Sequence, residues 1–418
     1  MSAEEEKESP EKEFASNTTL HGLSRIVIAP SIYFRVLWVL AILCSYAGFA
    51  YMFSSMIIDY FDYSTITDTA LEFTAASPFP AVTICNMNKF DSDKLTLAER
   101  SYLSPYIYGT QLDTATLLSM GIQSDASVNF TLTNFTHSYT SFGNCYTFNS
   151  NKSNTLWQVM EGYGNGVMIF VDLRVSEYTE NYFRGGNSEV GLKVLVHDQD
   201  EPPIIDTQGI ALAPGNHAFI SVKRTVYQNH APPWGVCQDL QLKYYDTYTL
   251  PACYLECRSN YIAANCSCRP FFLPGTVPFC TPAEMAGCVR HVVSRVVGGE
   301  LECDCPVPCS MTKYSTSVSY AGWPNIDTGN QIVQDYGLTK DYMKENGVMF
   351  SVFYEELSYR KITQMKAMDE GQLASNIGGM MGLFIGASLL TLLEVWEYLW
   401  QRLKGFLGKF RGPKIVQA

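Results

Sequence analysis

The sequence predicts a membrane protein of the α+β class, with two transmembrane helices flanking a large, disulfide-rich extracellular domain. Three observations predict it. Val36 to Ile58 and Gly371 to Leu393 are each 23 residues without a charge, and roughly 20 apolar residues cross the hydrocarbon of a bilayer. Twelve of the 13 cysteines lie between these stretches, and none lies in either tail. Arg25 and Arg35 precede the first stretch, and Arg402, Lys404, Lys409, Arg411 and Lys414 follow the second. The positive-inside rule then puts both termini in the cytosol and the intervening loop, about 310 residues, outside.

Composition narrows the function classes. With 47% hydrophobic residues the chain can bury a core, and its formal charge is −12. A nucleic-acid partner is not expected, because phosphate binding needs a basic face and no basic stripe appears outside the C-terminal tail.

Residues 1–35 read as a polar cytosolic tail opening "MSAEEEKESPEKEF", with no apolar run that could serve as a cleavable signal peptide. Residues 36–58 form the first transmembrane helix, which contains Cys44. Residues 59–370 form the extracellular domain. Its segment 91–140 has helix-compatible stretches and polar turns but no cysteine, as expected of a mobile outer module. From about 141 to 230, "GVMIFVDLRV", "VGLKVLVH" and "HAFISVKRTVY" alternate with Gly, Asn and Pro turns and read as a sheet. His197 and His217 fall on these runs and are expected at the surface.

Residues 237–309 hold ten of the twelve outer cysteines, the density of a stapled helical or loop-rich module. Even cysteine number on one side of the membrane fits an oxidising compartment. "CSC" and "CDCPVPC" carry no His at ligand spacing, which argues against zinc. Residues 311–320 and 346–360 read as alternating strands. Sequons at Asn129, Asn134, Asn151 and Asn265 lie outside, whereas the sequon at Asn17 is cytosolic and expected to stay unmodified. Residues 371–400 form the second transmembrane helix and residues 401–418 a basic cytosolic tail.

The second span is unusual for an anchor. Gly378, Gly379, Gly382, Gly386, Ala387 and Ser388 fall within eleven residues, followed by Glu394 and Glu397 at the inner edge. Small residues let membrane helices approach closely, which accounts for part of the pattern. Carboxylates near the membrane are costly unless they face water. Several copies around an axis would form a narrow ring in which backbone carbonyls and the Ser388 hydroxyl replace an ion's water, above an acidic mouth.

The motifs "HGLSRI", "FPAVTICNMNKF", "FGNCYTFNS", "DEPPIIDTQG", "PPWGVC" and "NIGGMMGLFIGASLLTLLEVWEY", in that order, resemble the degenerin/epithelial sodium channel superfamily. Among its branches the chain is most similar to the acid-sensing ion channels, including invertebrate members gated by acid or peptide. The resemblance implies a trimer with palm, finger, thumb, knuckle and β-ball regions above six membrane helices. It implies a sodium-selective, amiloride-blockable channel of the plasma membrane, assembled from this chain alone or with related subunits, without a cofactor and with sodium as the permeant ion. Gly386, Ala387 and Ser388 match the selectivity filter, and His21 and Gly22 match a cytosolic gating motif. Tyr60 and Trp234 match an aromatic pair that couples thumb to pore. The cysteines alone allow roughly ten thousand pairings. The resemblance implies one: Cys85 with Cys145, Cys237 with Cys309, Cys253 with Cys305, Cys257 with Cys303, Cys266 with Cys288, and Cys268 with Cys280.

Several positions depart from the acid-sensing pattern. Glu189, Asp200 and Glu201 match one side of an acidic pocket whose carboxylates would raise one another's pKa. On the thumb side, Arg290, His291 and Arg295 stand where carboxylates are expected. Ser351 replaces a palm aspartate and Asp62 a histidine. Ser375 and Asn376, at the pore entrance with Gly378 and Gly379, resemble the epithelial branch rather than the acid-sensing one. The trigger is therefore protons or a neuropeptide. A competing reading is a two-span, cysteine-rich receptor or adhesion protein without a pore; it leaves the polar, glycine-rich second span without a purpose. An enzyme is disfavoured, because the six histidines are scattered and no P-loop or Ser-His-Asp spacing occurs.

Overall fold

The computed structural model describes residues 10–20, 22–88, 117–120, 122–124, 126–128, 135–178 and 189–410. Its principal helices are α1 (Pro10–Asn17), α2 (Leu23–Ile28), α3 (Ile32–Phe61), α4 (Leu250–Cys266), α5 (Arg290–Val297), α6 (Glu370–Met380) and α7 (Leu389–Phe410). Its principal strands are β1 (Thr65–Glu72), β2 (Ala81–Asn86), β3 (Leu117–Met120), β4 (Phe135–Thr140), β5 (Gly143–Phe148), β6 (Val167–Asp172), β7 (Leu192–His197), β8 (Ile210–Leu212), β9 (Asn216–Gln228), β10 (Ser310–Gly322), β11 (Gly347–Tyr354) and β12 (Tyr359–Lys366). The chain forms two units: Met1–Ile66 with Lys366–Ala418, and Thr67–Met365.

The second unit is built on period-two alternation. A seven-stranded sheet runs β1-β12-β9-β11-β6-β3, with β10 also on β9, and a five-stranded sheet runs β8-β7-β2-β5-β4. Val167, Ile169 and Val171 on β6, Ala218, Ile220 and Val222 on β9, and Val348, Phe350 and Val352 on β11 share one face of the first sheet. They pack in one buried cluster with Val82 and Ile84 of β2 and with Leu192, Val194 and Val196 of β7. Side chains two residues apart point to the same side of a strand, so two alternating sets close on each other as a dry layer. Strand β11 departs from the expected alternation, since nearly all of it is buried. It lies between β9 and β6, and both of its faces are covered.

The cysteine-rich segment is helical. Thr249 caps α4 by accepting the Ala252 N–H, and a proline at the first turn fits a position whose N–H has no helical partner. Cys253 and Cys257 lie one turn apart on α4 and bond to Cys305 and Cys303. The other pairs are Cys237–Cys309, Cys266–Cys288, Cys268–Cys280 and, across neighbouring strands β2 and β5, Cys85–Cys145. All twelve cysteines from Cys85 to Cys309 are thus in disulfides. A small core of Ile262, Leu273, Val289 and Val292 packs with Cys268 and Cys280.

His197 and His217, expected at the surface, are 5% and 7% exposed. Their strands lie inside the sheets, so both rings had to find internal partners. His197 meets the Thr83 hydroxyl at 2.7 Å and the Asp198 carbonyl at 2.8 Å, and Thr83 meets Thr147 at 2.7 Å. His217 meets the Ser351 hydroxyl at 2.9 Å and stacks on Phe219. Burial holds His197 near 4 and lowers His217 as well, so both are neutral at neutral pH. Replacing Thr83 by Val leaves a ring nitrogen of His197 unsatisfied in the sheet. Thr83→Val is expected to cost about 1–3 kcal/mol, read from denaturant unfolding of the purified chain, while Thr83→Ser keeps most of the stability.

Candidate functional site

In the first unit, α3 is the one helix among the described residues long and apolar enough to cross a membrane unbroken. Leu37, Leu40, Leu43, Tyr51 and Ile58 on it are exposed. The second apolar stretch is not one helix. Glu370–Ile385 and Leu390–Lys404 meet at a bend of 70° and pass the same test only as a pair. The stretch 371–400, expected as the second transmembrane helix, is thus built of two helices with a break between them.

The break has an identifiable local cause. After α6 the backbone widens into a π turn over Met381–Ile385, and Gly386 then takes a left-handed conformation with φ near 69°. A residue with a Cβ is strained there, so glycine is the residue that permits the turn. The amides of Gly386 and Ala387 reach back to the carbonyls of Gly382 and Met381. Ser45 of α3 donates its hydroxyl to the Phe384 carbonyl, satisfying an acceptor that the break removes from the helix ladder. Gly48 on α3 allows that approach, since a Cβ there would sit 3.2 Å from the Phe384 ring.

The chain restarts with a reciprocal cap. Ser388 precedes α7 and accepts the Thr391 N–H at 3.3 Å, while the Thr391 hydroxyl accepts the Ser388 N–H at 3.0 Å. Two amides without helical partners are thereby satisfied, as in a capping box. Thr391 is 1% exposed. Below it, Glu394 accepts the Thr19 N–H at 3.1 Å, the Thr19 hydroxyl at 3.2 Å and the Thr18 hydroxyl at 3.3 Å. Phe14 stacks on Tyr398 with ring centroids 4.5 Å apart. The segment after α1 therefore lies along the start of α7. Glu397 takes the Gln401 amide at 3.2 Å.

Ser375, Asn376, Gly378 and Gly379 lie on exposed positions of α6. Gly22 has φ near 88°, and a Cβ on it would come within 2.9 Å of Ile42 on α3. His21 lies outside the described residues. Tyr60 ends α3 in one unit and Trp234 belongs to the other.

In the second unit, residues 198–201 border a cavity of about 530 Å³ that also touches Lys152, Trp157, Arg224, Tyr248 and Tyr314. Lys152 pairs with the Asp200 carboxylate, and Asp198 accepts the Asp200 N–H at 3.1 Å. Burial, and then the neighbouring Asp198 charge, push the Glu201 carboxyl up to about 7. Burial also raises Asp198. Glu189 does not join this group. It precedes β7 whereas Asp200 and Glu201 follow it, so a six-residue strand, about 20 Å long, separates them. On α5, Arg295 binds Glu300 at 2.9 Å.

Three participants escaped the sequence reading. Asp198 was visible only as one more acid in "HDQDE", and its burial follows from the end of β7. Thr391 had a signal in Ser-x-x-Thr cap spacing, hidden in an apolar run. Thr19 had none, because its partner is 375 residues away.

Comparison with known proteins shows the family. A family model described as amiloride-sensitive sodium channel matches residues 14–120 and 114–398. The chain belongs to that family. Acid-sensing ion channel 1C of Danio rerio is 32% identical, over 94% of this chain and 83% of the relative. Acid-sensing ion channel 4 of Rattus norvegicus is 33% identical, over 94% and 80% respectively, and acid-sensing ion channel 2 of the same species 30%, over 94% and 86%. Membership of the amiloride-sensitive sodium channel family makes this an ion channel of the degenerin/epithelial sodium channel type, closest in pattern to the acid-sensing branch.

Glu201 gives a pH signature with a definite sign. Its folded pKa lies above its unfolded value of about 4.5, so its contribution to stability is complete below pH 4.5 and is lost as pH rises through 7. Glu201→Gln is expected to raise the melting temperature of the purified chain at pH 8, with the gain over the parent vanishing by pH 4.5. An equal gain at both pH values would show that Glu201 does not titrate in this window.

Proposed function

We propose that three copies of this chain, alone or with related subunits, form a sodium-selective, amiloride-blockable channel of the plasma membrane opened by an extracellular stimulus. One observation carries the reading. The second apolar stretch breaks at Gly386–Ser388, leaving a serine at the turn and carboxylates six and nine residues further along at Glu394 and Glu397. Non-helical backbone at membrane depth is tolerated only where it lines water or is buried in protein, and an anchor has no use for it. Gly378, Gly379 and Gly382 support the trimer: a Cβ on any of them would meet nothing within 4 Å in this chain. Their smallness thus answers no need inside one copy and suits close approach of others.

In this reading residues 36–58 and 371–400 cross the membrane, 59–370 lie outside, and residues 1–35 and 401–418 are cytosolic. Gly386, Ala387 and Ser388 form the filter, Ser375, Asn376, Gly378 and Gly379 the entrance, and Glu394 and Glu397 the inner mouth. His21 and Gly22 act in gating, with Tyr60 and Trp234 coupling the outer domain to the pore. The trigger is protons or a peptide. Protons are supported by Glu201, which at about 7 changes charge on mild acidification.

The direct test is whole-cell current at external pH stepped from about 7.4 to about 5, the range in which shifted carboxylates titrate, with and without amiloride. An amiloride-blocked inward current on acidification is expected. A current seen only after adding peptide would remove protons as the trigger, and no cation current under any stimulus would overturn the channel reading. Ser375→Trp is expected to give standing current, because a bulky side chain at a small entrance position holds the helices apart; a surface-delivered but silent mutant would refute that placement. Ser388→Leu is expected to abolish current with normal surface delivery, and unchanged sodium current would displace the filter from Ser388.

A further inference from the structure

Ser388, Thr391, Thr19 and Glu394 form a continuous chain of hydrogen-bonding groups from the bend to the segment that follows α1 at residues 18–20, here called the strap. The Ser388 and Thr391 hydroxyl oxygens are 3.2 Å apart, Thr391 and Thr19 2.6 Å, and Thr19 and the Glu394 carboxylate 3.2 Å. Each hydroxyl has one proton and two lone pairs, so the chain can run in only two directions.

The direction decides what Ser388 presents to its surroundings. If Thr19 donates to Thr391, then Thr391 donates to Ser388. Ser388 would accept both that proton and the Thr391 N–H, and its own proton would be left to point outward. If instead Thr19 donates to Glu394, Thr391 donates to Thr19 and accepts both the N–H and the O–H of Ser388. Ser388 then gives its proton inward, accepts the Thr391 N–H, and keeps one lone pair facing out. The carboxylate selects the second direction, since a hydrogen bond to an ionised acceptor is about twice as strong as one between neutral groups. The Thr19 N–H on the same carboxylate oxygen holds the strap in register.

The geometry points to Thr19 and Thr391 as positioning residues for ion selectivity: they turn the Ser388 hydroxyl so that its oxygen, not its proton, meets the permeating cation. This rests on the reading of Ser388 as a filter residue. Glu394 accordingly acts as the anionic end of a relay as well as a charge at the inner mouth, and the strap contributes to selectivity without lining the narrowest point.

Thr19 separates this role from capping, because it takes no part in the Ser388–Thr391 cap. In the standing-current Ser375→Trp background, the sodium-to-potassium permeability ratio is read from reversal potentials. Thr19→Val is expected to lower the ratio about threefold or more, the scale of one redirected hydrogen bond, with surface labelling unchanged, and Thr19→Ser is expected to restore it. Thr19→Ala serves if the Val variant fails to reach the surface. A parent-like ratio in a surface-delivered Thr19→Val or Thr19→Ala chain, or no rescue by Ser, would overturn the relay. If the Ser375→Trp parent itself passes no cation current or shows no sodium preference, the filter reading fails and the relay falls with it.

Discussion

A polar group taken out of water must find a partner, and most of what distinguishes this chain follows from how it meets that demand. The cost of an unsatisfied buried donor or acceptor, about 1–3 kcal/mol, exceeds what most single contacts return. At the bend in the second apolar stretch, the break at Gly386 strips the helix ladder of donors and acceptors. The chain answers with Ser45 on the Phe384 carbonyl and the reciprocal Ser388–Thr391 cap. In the second unit, the same demand puts Thr83 and Thr147 around His197 and Ser351 beside His217. The bend and the sheets obey one rule.

That rule also separates what the sequence displayed from what it concealed. The β runs between 141 and 230, the stapled segment 237–309 and the first apolar helix announced themselves through period, cysteine density and length. These are local signals, each carried within about 10–70 residues. The placement of His197 was misread because "VGLKVLVH" shows which residues alternate but not that β7 lies between β8 and β2 in its sheet. The burial of both faces of β11 was hidden for the same reason. Ser388, Gly386 and Glu394 were visible by residue type and order, whereas their connection through Thr19 was not, since it joins opposite ends of the chain.

The acidic cavity is legible in a different way. Asp200 and Glu201 stand out in "DQDEPP", yet their chemistry depends on burial and on Asp198. Coulombic repulsion among carboxylates is modest when water reaches them, and desolvation is the larger cause of the upward shift at Glu201. Lys152 on Asp200 works against accumulation of negative charge, and Lys313 lowers Glu201 somewhat. A group poised near 7 in this setting responds to small changes in packing, because each added degree of burial raises it further. Motion of the disulfide-stapled segment beside it would therefore change its proton occupancy, and by linkage its protonation would bias that motion.

Ser351 sharpens the same argument. In the acid-sensing pattern an aspartate is expected at this palm position, where it would face His217 and favour an imidazolium by direct pairing. With a serine 2.9 Å away, the ring is left with a neutral partner, and burial lowers its pKa. Position 351 thus carries no charge, while the cavity beside Glu201 holds a carboxyl pushed up to about 7. Of these two groups, Glu201 at the end of β7 is the one moved toward neutrality, whereas burial moves His217 away from it.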